Sequence, residues 1–159
     1  MLDPIIGVHG TLTEDTMPSK VYLTQTDTTI GFISQDADRL TDIKQRPPHK
    51  HYIRVVDSLA TLKAQARIPT RHKNRLRRAR KSTFILPNGA SYRVIHDPSH
   101  LALISKLTWA YSTSANLSDK PYDEQWARSV TDAVIEPLAD RGRPSKIYKI
   151  NNRSIQRIR

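Results

Sequence analysis

Three short polar stretches carry the residue types that handle phosphates and small carboxylates. The first is Thr26-Asp27-Thr28-Thr29, a run of hydroxyls around one acid. The second is Lys44-Gln45-Arg46, with Lys50 shortly after, and the third is Ser112-Thr113-Ser114-Ala115-Asn116. A phosphate chain asks for a rigid two-pronged donor such as Arg46 and for mobile point charges such as Lys44 and Lys50. It also asks for neutral donors such as Ser114 and Asn116. Each hydrogen bond to a charged group contributes about 1.5–3 kcal/mol net, so four or five suffice for micromolar binding after association costs. Taken singly, each stretch has a plainer reading. Cations at a helix end answer the macrodipole, and Ser-Thr-Ser-Ala-Asn suits an ordinary exit from a strand into a turn.

Other chemistries find no support. The six histidines show no H-x-x-x-H helix pattern, since Asp97-Pro98 starts a helix between His96 and His100, and no carboxylate pair stands at zinc-site spacing, so no metal site is expected. No serine sits in a G-x-S-x-G elbow, and no Walker-type loop is present among five glycines. The absence of cysteine excludes disulfides and thiolate-bound zinc, and suits an intracellular setting. No apolar run has the length of a signal peptide or membrane span, so a soluble cytoplasmic protein without a membrane partner is expected.

The elements that must position these stretches are short. Val21 to Leu23 reads as a buried strand, and Ile30 to Ile33 as a second apolar segment around Gly31. Asp36 can cap a helix with Leu40 and Ile43 inward, ended by Pro47-Pro48. Tyr52 to Val56 is a β-branched strand, after which Asp57 or Ser58 caps a short helix. Thr83 to Leu86 and Ser91 to Ile95 flank Asn88-Gly89, which predicts a two-residue hairpin turn with positive φ at both positions. Asp97-Pro98 reads as N-cap and first helical residue. Trp109 to Thr113 is a strand, Asp123 to Ser129 a helix, Ala133 to Ile135 a strand, and Ser145–Ile150 with Ser154–Ile158 a closing pair. No helix is evident in residues 1 to 17. The 159 residues suit one domain, 1–159, of α/β class: a twisted mixed parallel and antiparallel sheet with flanking helices.

Charge is distributed unevenly. Residues 67 to 81 carry eight cations and no acid, and residues 141 to 159 carry seven more and no acid. The remainder has 11 cations against 15 acids, so these two segments supply the whole positive field. A polyanionic partner is implied, either a nucleotide or a nucleic acid. With Leu76 as its one interior apolar residue, the first basic segment is either an exposed helix from near Thr70 or a mobile loop.

The order of the motifs is more specific than any one of them. Thr26-Asp27-Thr28-x-x-Gly31, Lys44-x-Arg46-Pro47, Ser112-Thr113-Ser114-Ala115-Asn116-x-Ser118 with Pro121, and Pro144-Ser145-x-Ile147 with a terminal arginine follow one another. Together they resemble the YrdC-like threonylcarbamoyl-AMP synthase family, from about residue 20 to the end. Gln25 stands where that family has proline, Ile30 where it often has tyrosine, Asp119 where it has glycine, and only Thr83 remains of its P-G-P-x-T stretch. The resemblance implies a YrdC-like fold with a concave basic cavity. It implies a nucleotidyltransferase that turns L-threonine, bicarbonate and ATP, with Mg²⁺, into threonylcarbamoyl-adenylate and pyrophosphate. A partner transferase would then pass the threonylcarbamoyl group to tRNA. By the same resemblance, Thr28, Arg93, Ser112 and Ser145 would hold threonine. Lys44, Arg46, Lys50, Ser114, Asn116 and Arg157 would hold ATP, with Lys44 and Arg46 the catalytic pair. The alternative is a degenerate relative that binds double-stranded RNA or tRNA through segments 67–81 and 141–159.

Overall fold

The computed structural model describes residues 17–139 and 142–159. The expectation of no helix in residues 1 to 17 falls almost wholly outside them, as does Arg141. Within the described residues the chain builds one nine-stranded mixed sheet. Its strands are β1 (Tyr22–Gln25), β2 (Ile30–Ser34), β3 (Ile53–Val56), β4 (Ser82–Ile85), β5 (Ser91–Val94), β6 (Trp109–Ser114), β7 (Ala133–Ile135), β8 (Lys146–Ile150) and β9 (Ile155–Arg157), in the spatial order β7-β1-β2-β6-β3-β5-β4-β8-β9. Pairs β1/β7, β3/β5 and β4/β8 are parallel and the other five antiparallel. The helices are α1 (Ala37–Lys44), α2 (Leu59–Gln65), α3 (Lys73–Arg78), α4 (Pro98–Leu107) and α5 (Glu124–Val130).

Local chemistry starts four of the five helices. Side chains of Asp36, Ser58, Asp97 and Asp123 each accept from the backbone N–H three residues on, at 3.0–3.1 Å. The basic segment forms a helix, not a mobile loop. A 3₁₀ turn over Thr70–His72 leads into α3, whose Leu76 is buried.

The hairpin between β4 and β5 differs from the expected two-residue turn. The Leu86 N–H donates to the Ala90 carbonyl at 2.9 Å and the Gly89 N–H to the Leu86 carbonyl at 2.8 Å, so the loop holds Pro87, Asn88 and Gly89. Gly89 has φ +85, whereas Asn88 is not among the positive-φ residues. Pro87 is the reason. Its ring fixes φ near −65°, which suits the first central position of a type I turn and leaves the left-handed step to the glycine.

Strand alternation divides the sheet into two unlike faces. One carries Tyr22, Ile33, Val55 and Ala110 and packs under α4 with Ile95, Leu103, Ile104 and Leu107. The other splits into two cores, one beneath α2 and α3 around Phe84, Tyr92 and Val94, the other around Leu23, Phe32 and Leu40 beneath α1 and α5. The face under α4 continues past the apolar core into a row of polar residues. That row is the site.

Candidate active site

Register places the row. Ile53 pairs with Ser112, Gly31 with Ser114, Val55 with Arg93, and Thr83 with Ile147, so Gly31, Ile53, Arg93, Thr83, Ser112, Ser114 and Ile147 share one face. Gly31 is needed where β2 meets β6, because a Cβ there would lie 2.8 Å from the Thr113 carbonyl oxygen. A cavity of about 380 Å³ opens over this row, lined also by Thr26, Thr28, Thr29, Arg46, His51, Tyr52, Pro144, Ser145 and Arg159. That size is within the usual range for small-molecule sites. Gly142 brings the final segment down onto Thr28, where any Cβ would fall on the Thr28 carbonyl.

The Thr26–Thr29 turn is self-tied. Thr26 Oγ1 donates to the Thr29 carbonyl at 2.6 Å, accepts from the Thr28 N–H at 3.1 Å and lies 3.2 Å from Thr28 Oγ1. Asp27 is buried and meets Arg93, Oδ1 to Nη2 at 3.1 Å, with both side chains 4% exposed. Opposite charges hold the contact. Burial pushes the Asp27 carboxyl up and the Arg93 guanidinium down, and each pulls the other partway back. Arg93 Nη1 also donates to Thr83 Oγ1 at 3.3 Å, and Thr83 Oγ1 lies 2.8 Å from Ser145 Oγ. Arg159 completes the chain by donating from Nε to the Ser145 carbonyl at 2.9 Å and from Nη2 to Ser145 Oγ at 3.3 Å.

His100 sits behind this wall, 1% exposed, with neither ring nitrogen hydrogen-bonded. Burial first, and then the Arg93 guanidinium, push its pKa down to about 3. The unfolded chain therefore binds a proton that the folded chain refuses between pH 6.5 and 3. Stability is expected to fall by about 1.4 kcal/mol per pH unit as pH drops through that window. Chemical denaturation at pH 7, 5 and 4 measures it, and His100→Gln should flatten the dependence. An unchanged slope in that variant would refute the assignment.

At the other end of the cavity, the chain turns sharply after α1. Gln45 adopts the left-handed conformation at φ 53, while the Arg46 N–H reaches back to the Thr41 carbonyl at 3.1 Å. This sends Lys44 and Arg46 in different directions. Arg46 lines the cavity, its guanidinium 4.7 Å from the Tyr52 ring centroid and donating to the His51 carbonyl at 2.9 Å; its Nε–H has no partner. Lys44 turns inward and donates to the Ser114 and Asn116 carbonyls at 2.8 and 2.6 Å. Burial, and then Arg46, push its ammonium down to about 8.

Of the residues singled out in the sequence, Thr28, Arg46, Arg93, Ser112, Ser114 and Ser145 line one cavity. Lys44 and Asn116 support its rim without lining it. Lys50 is exposed beyond Pro47 and is not a lining residue. Arg157 pairs with Tyr148, whose ring stacks on Phe84 on the far face, so Arg157 lies away from the cavity. Of Arg157 and Arg159, it is Arg159 that lines it. Sequence reasoning missed Tyr52, His51 and the Asp27–Arg93 pair. Asp119, the expected glycine position, has φ 65, a conformation glycine adopts without strain. Among the described residues no cluster of His, Asp or Glu suited to a metal is present, and no helix is long and apolar enough to cross a membrane.

The fold has counterparts among solved structures. Sua5 of P. abyssi, complexed with L-threonine, superposes with a TM-score of 0.77 at 19% identity, over 94% of this chain and 55% of that one. The chain has the Sua5/YrdC fold. E. coli YciO shares that fold with a TM-score of 0.71 at 16% identity, over 92% of this chain and 85% of its own. An uncharacterized protein of Mycoplasma pneumoniae is 31% identical over 146 residues, covering 83% of this chain and 30% of the relative. The chain thus spans about 30% of the length of the curated relatives it matches. No family model matches the sequence.

Proposed function

We propose that this cavity makes threonylcarbamoyl-adenylate and pyrophosphate from L-threonine, bicarbonate and ATP. The observation that carries the reading is the convergence of Thr28, Arg93, Ser112 and Ser145 with Arg46 and Ser114 on one 380 Å³ cavity. The fold it shares with a Sua5 complexed with L-threonine supports it. Threonine's carboxylate is received between Arg93 and Arg159, and the nucleotide phosphates lie toward Arg46 and the Ser114 turn. The threonine amine and bicarbonate give a carbamate with loss of water. A carbamate oxygen then attacks the α-phosphorus, and the bond to the pyrophosphate oxygen breaks. This asks for positioning and charge neutralisation, not a covalent nucleophile, which suits a wall of Arg, Ser and Thr. Among the described residues no carboxylate lines the cavity, so Mg²⁺ enters as part of the nucleotide substrate, held by its phosphates. The test is pyrophosphate release measured with threonine or bicarbonate omitted in turn. Release that is indifferent to threonine ends the proposal.

A second reading, RNA binding, gains one specific observation. Arg71 donates to the Arg153 carbonyl at 2.6 Å, and His72 Nε2 lies 3.0 Å from the Asn151 carbonyl. The two basic segments, remote in sequence, therefore adjoin at the β4-β8-β9 end of the sheet. Arg71, Arg75, Arg78, Lys149, Arg153 and Arg157 are all exposed there. If six phosphate contacts form, tRNA affinity should fall about a thousandfold between 50 and 200 mM salt. Arg71→Ala with Arg75→Ala and Arg78→Ala should flatten the log–log slope by about 3. A slope shallower than about −2 in the parent protein counts against RNA binding.

A further inference from the structure

Lys44 ends α1 as a cation that is only 3% exposed. An ammonium has three N–H donors, and three acceptors meet it, all from one turn. They are the Ser114 carbonyl at 2.8 Å, the Asn116 carbonyl at 2.6 Å and Asn116 Oδ1 at 3.4 Å. The tie is returned, because the Ser118 N–H donates to the Lys44 carbonyl at 3.1 Å. Ser114 lines the cavity and Lys44 does not.

We propose that Lys44 is a positioning residue, which shapes the Ser114–Asn116 turn and acts on a bound anion through that turn without touching it. The inference rests on the reading that the nucleotide's phosphate end lies at this turn. Three carbonyl-type oxygens converging on one point repel each other, and a buried cation between them is what makes the convergence favourable. The same cation fixes Ser114 Oγ indirectly, since that hydroxyl donates to Asn116 Oδ1 at 2.5 Å. Asn116 Nδ2 in turn donates to the Leu117 and Lys120 carbonyls, both at 2.8 Å, so the whole turn is one connected unit. A lysine that grips phosphate directly keeps a solvated, mobile head; this one has every donor committed. Arg46, two residues on, shows the contrasting state, with its side chain on the cavity wall. Arg46 is also the charged neighbour that acts on Lys44, while Asp119 and Lys120 on the opposing turn are exposed.

Residue-resolved hydrogen exchange on the ligand-free chain tests the strut. Lys44→Met keeps the stem and removes the three donors. Exchange at Asn116 and Ser118 is expected to quicken at least tenfold, with the β3 amide of Val55 unchanged. Unchanged exchange at the turn overturns the proposal. Calorimetric ATP binding gives a second readout. Lys44→Met and Asn116→Ala should each weaken affinity about tenfold, and the double variant no more than Asn116→Ala alone. An additive, roughly hundredfold loss means direct contact and overturns it. Should Lys44→Met fail to fold, ¹⁵N spectra of the unaltered protein decide the matter. Couplings from the Lys44 ammonium to the Ser114 and Asn116 carbonyl carbons should persist when pyrophosphate is added; their replacement by a coupling to phosphorus overturns the proposal. Threonine-independent turnover would remove the proposed reaction while leaving these three results to stand or fall separately.

Discussion

Asp27→Ala is expected to lower the melting temperature by about 10–15 °C. The cause is the charge left behind. Arg93 is 3% exposed and its Nε–H is already without a partner, so Asp27 is the anion that makes burial of this guanidinium tolerable. Removing one member of a buried pair costs about 3–5 kcal/mol, because the other remains desolvated and uncompensated. For a chain of this size each kcal/mol corresponds to about 2–4 °C. The double variant Asp27→Ala with Arg93→Met should recover part of that loss, because both desolvated charges are then gone. Calorimetric melting of the three variants measures the cycle. A loss below about 2 °C for Asp27→Ala would mean that solvent reaches the pair, contrary to its burial here.

The same pair shows what the sequence can reveal and what it cannot. Helix starts were legible because an N-cap bonds its own neighbours: Asp36 and Asp97 read as caps directly, the second helix as capped by Asp57 or Ser58, of which Ser58 is the cap, and Asp123, read as a first helical residue, is the cap of its helix. The mixed sheet was legible from its apolar runs. The hairpin loop was misjudged by one residue, since Asn-Gly is the stronger cue and Pro87 the deciding one. Asp27 was visible only as part of a hydroxyl-rich turn. Its partner stands on β5, and nothing local links the two. Arg157 and Arg159 present the same problem at the C-terminal strands. Composition cannot say which of them reaches the cavity; the pairing of Tyr148 with Arg157 can, because it puts Arg157 on the far face. Lys44 and Arg46 likewise look equivalent until Gln45 is seen to take the left-handed conformation that separates them.

That separation sets the largest effect expected on activity. Arg46→Ala should lower kcat/KM for threonine-dependent pyrophosphate formation about a hundredfold. A guanidinium on the cavity wall can give two charged hydrogen bonds to phosphate oxygens, worth about 1.5–3 kcal/mol each, and each 1.4 kcal/mol is tenfold. Stability should change little. Arg46 is half-buried and loses only its stacking on Tyr52 and one bond to the His51 carbonyl, so the melting temperature should shift by no more than about 4 °C. Arg46→Lys separates charge from shape. Lysine keeps the cation but not the planar fork, so about a tenfold loss is expected, between the parent protein and the alanine variant. Steady-state kinetics on folded, melting-checked protein distinguish the outcomes. Activity within threefold of the parent in Arg46→Ala would place the phosphates elsewhere. An equal loss in both variants would make the fork, and not the charge, the feature that the reaction uses.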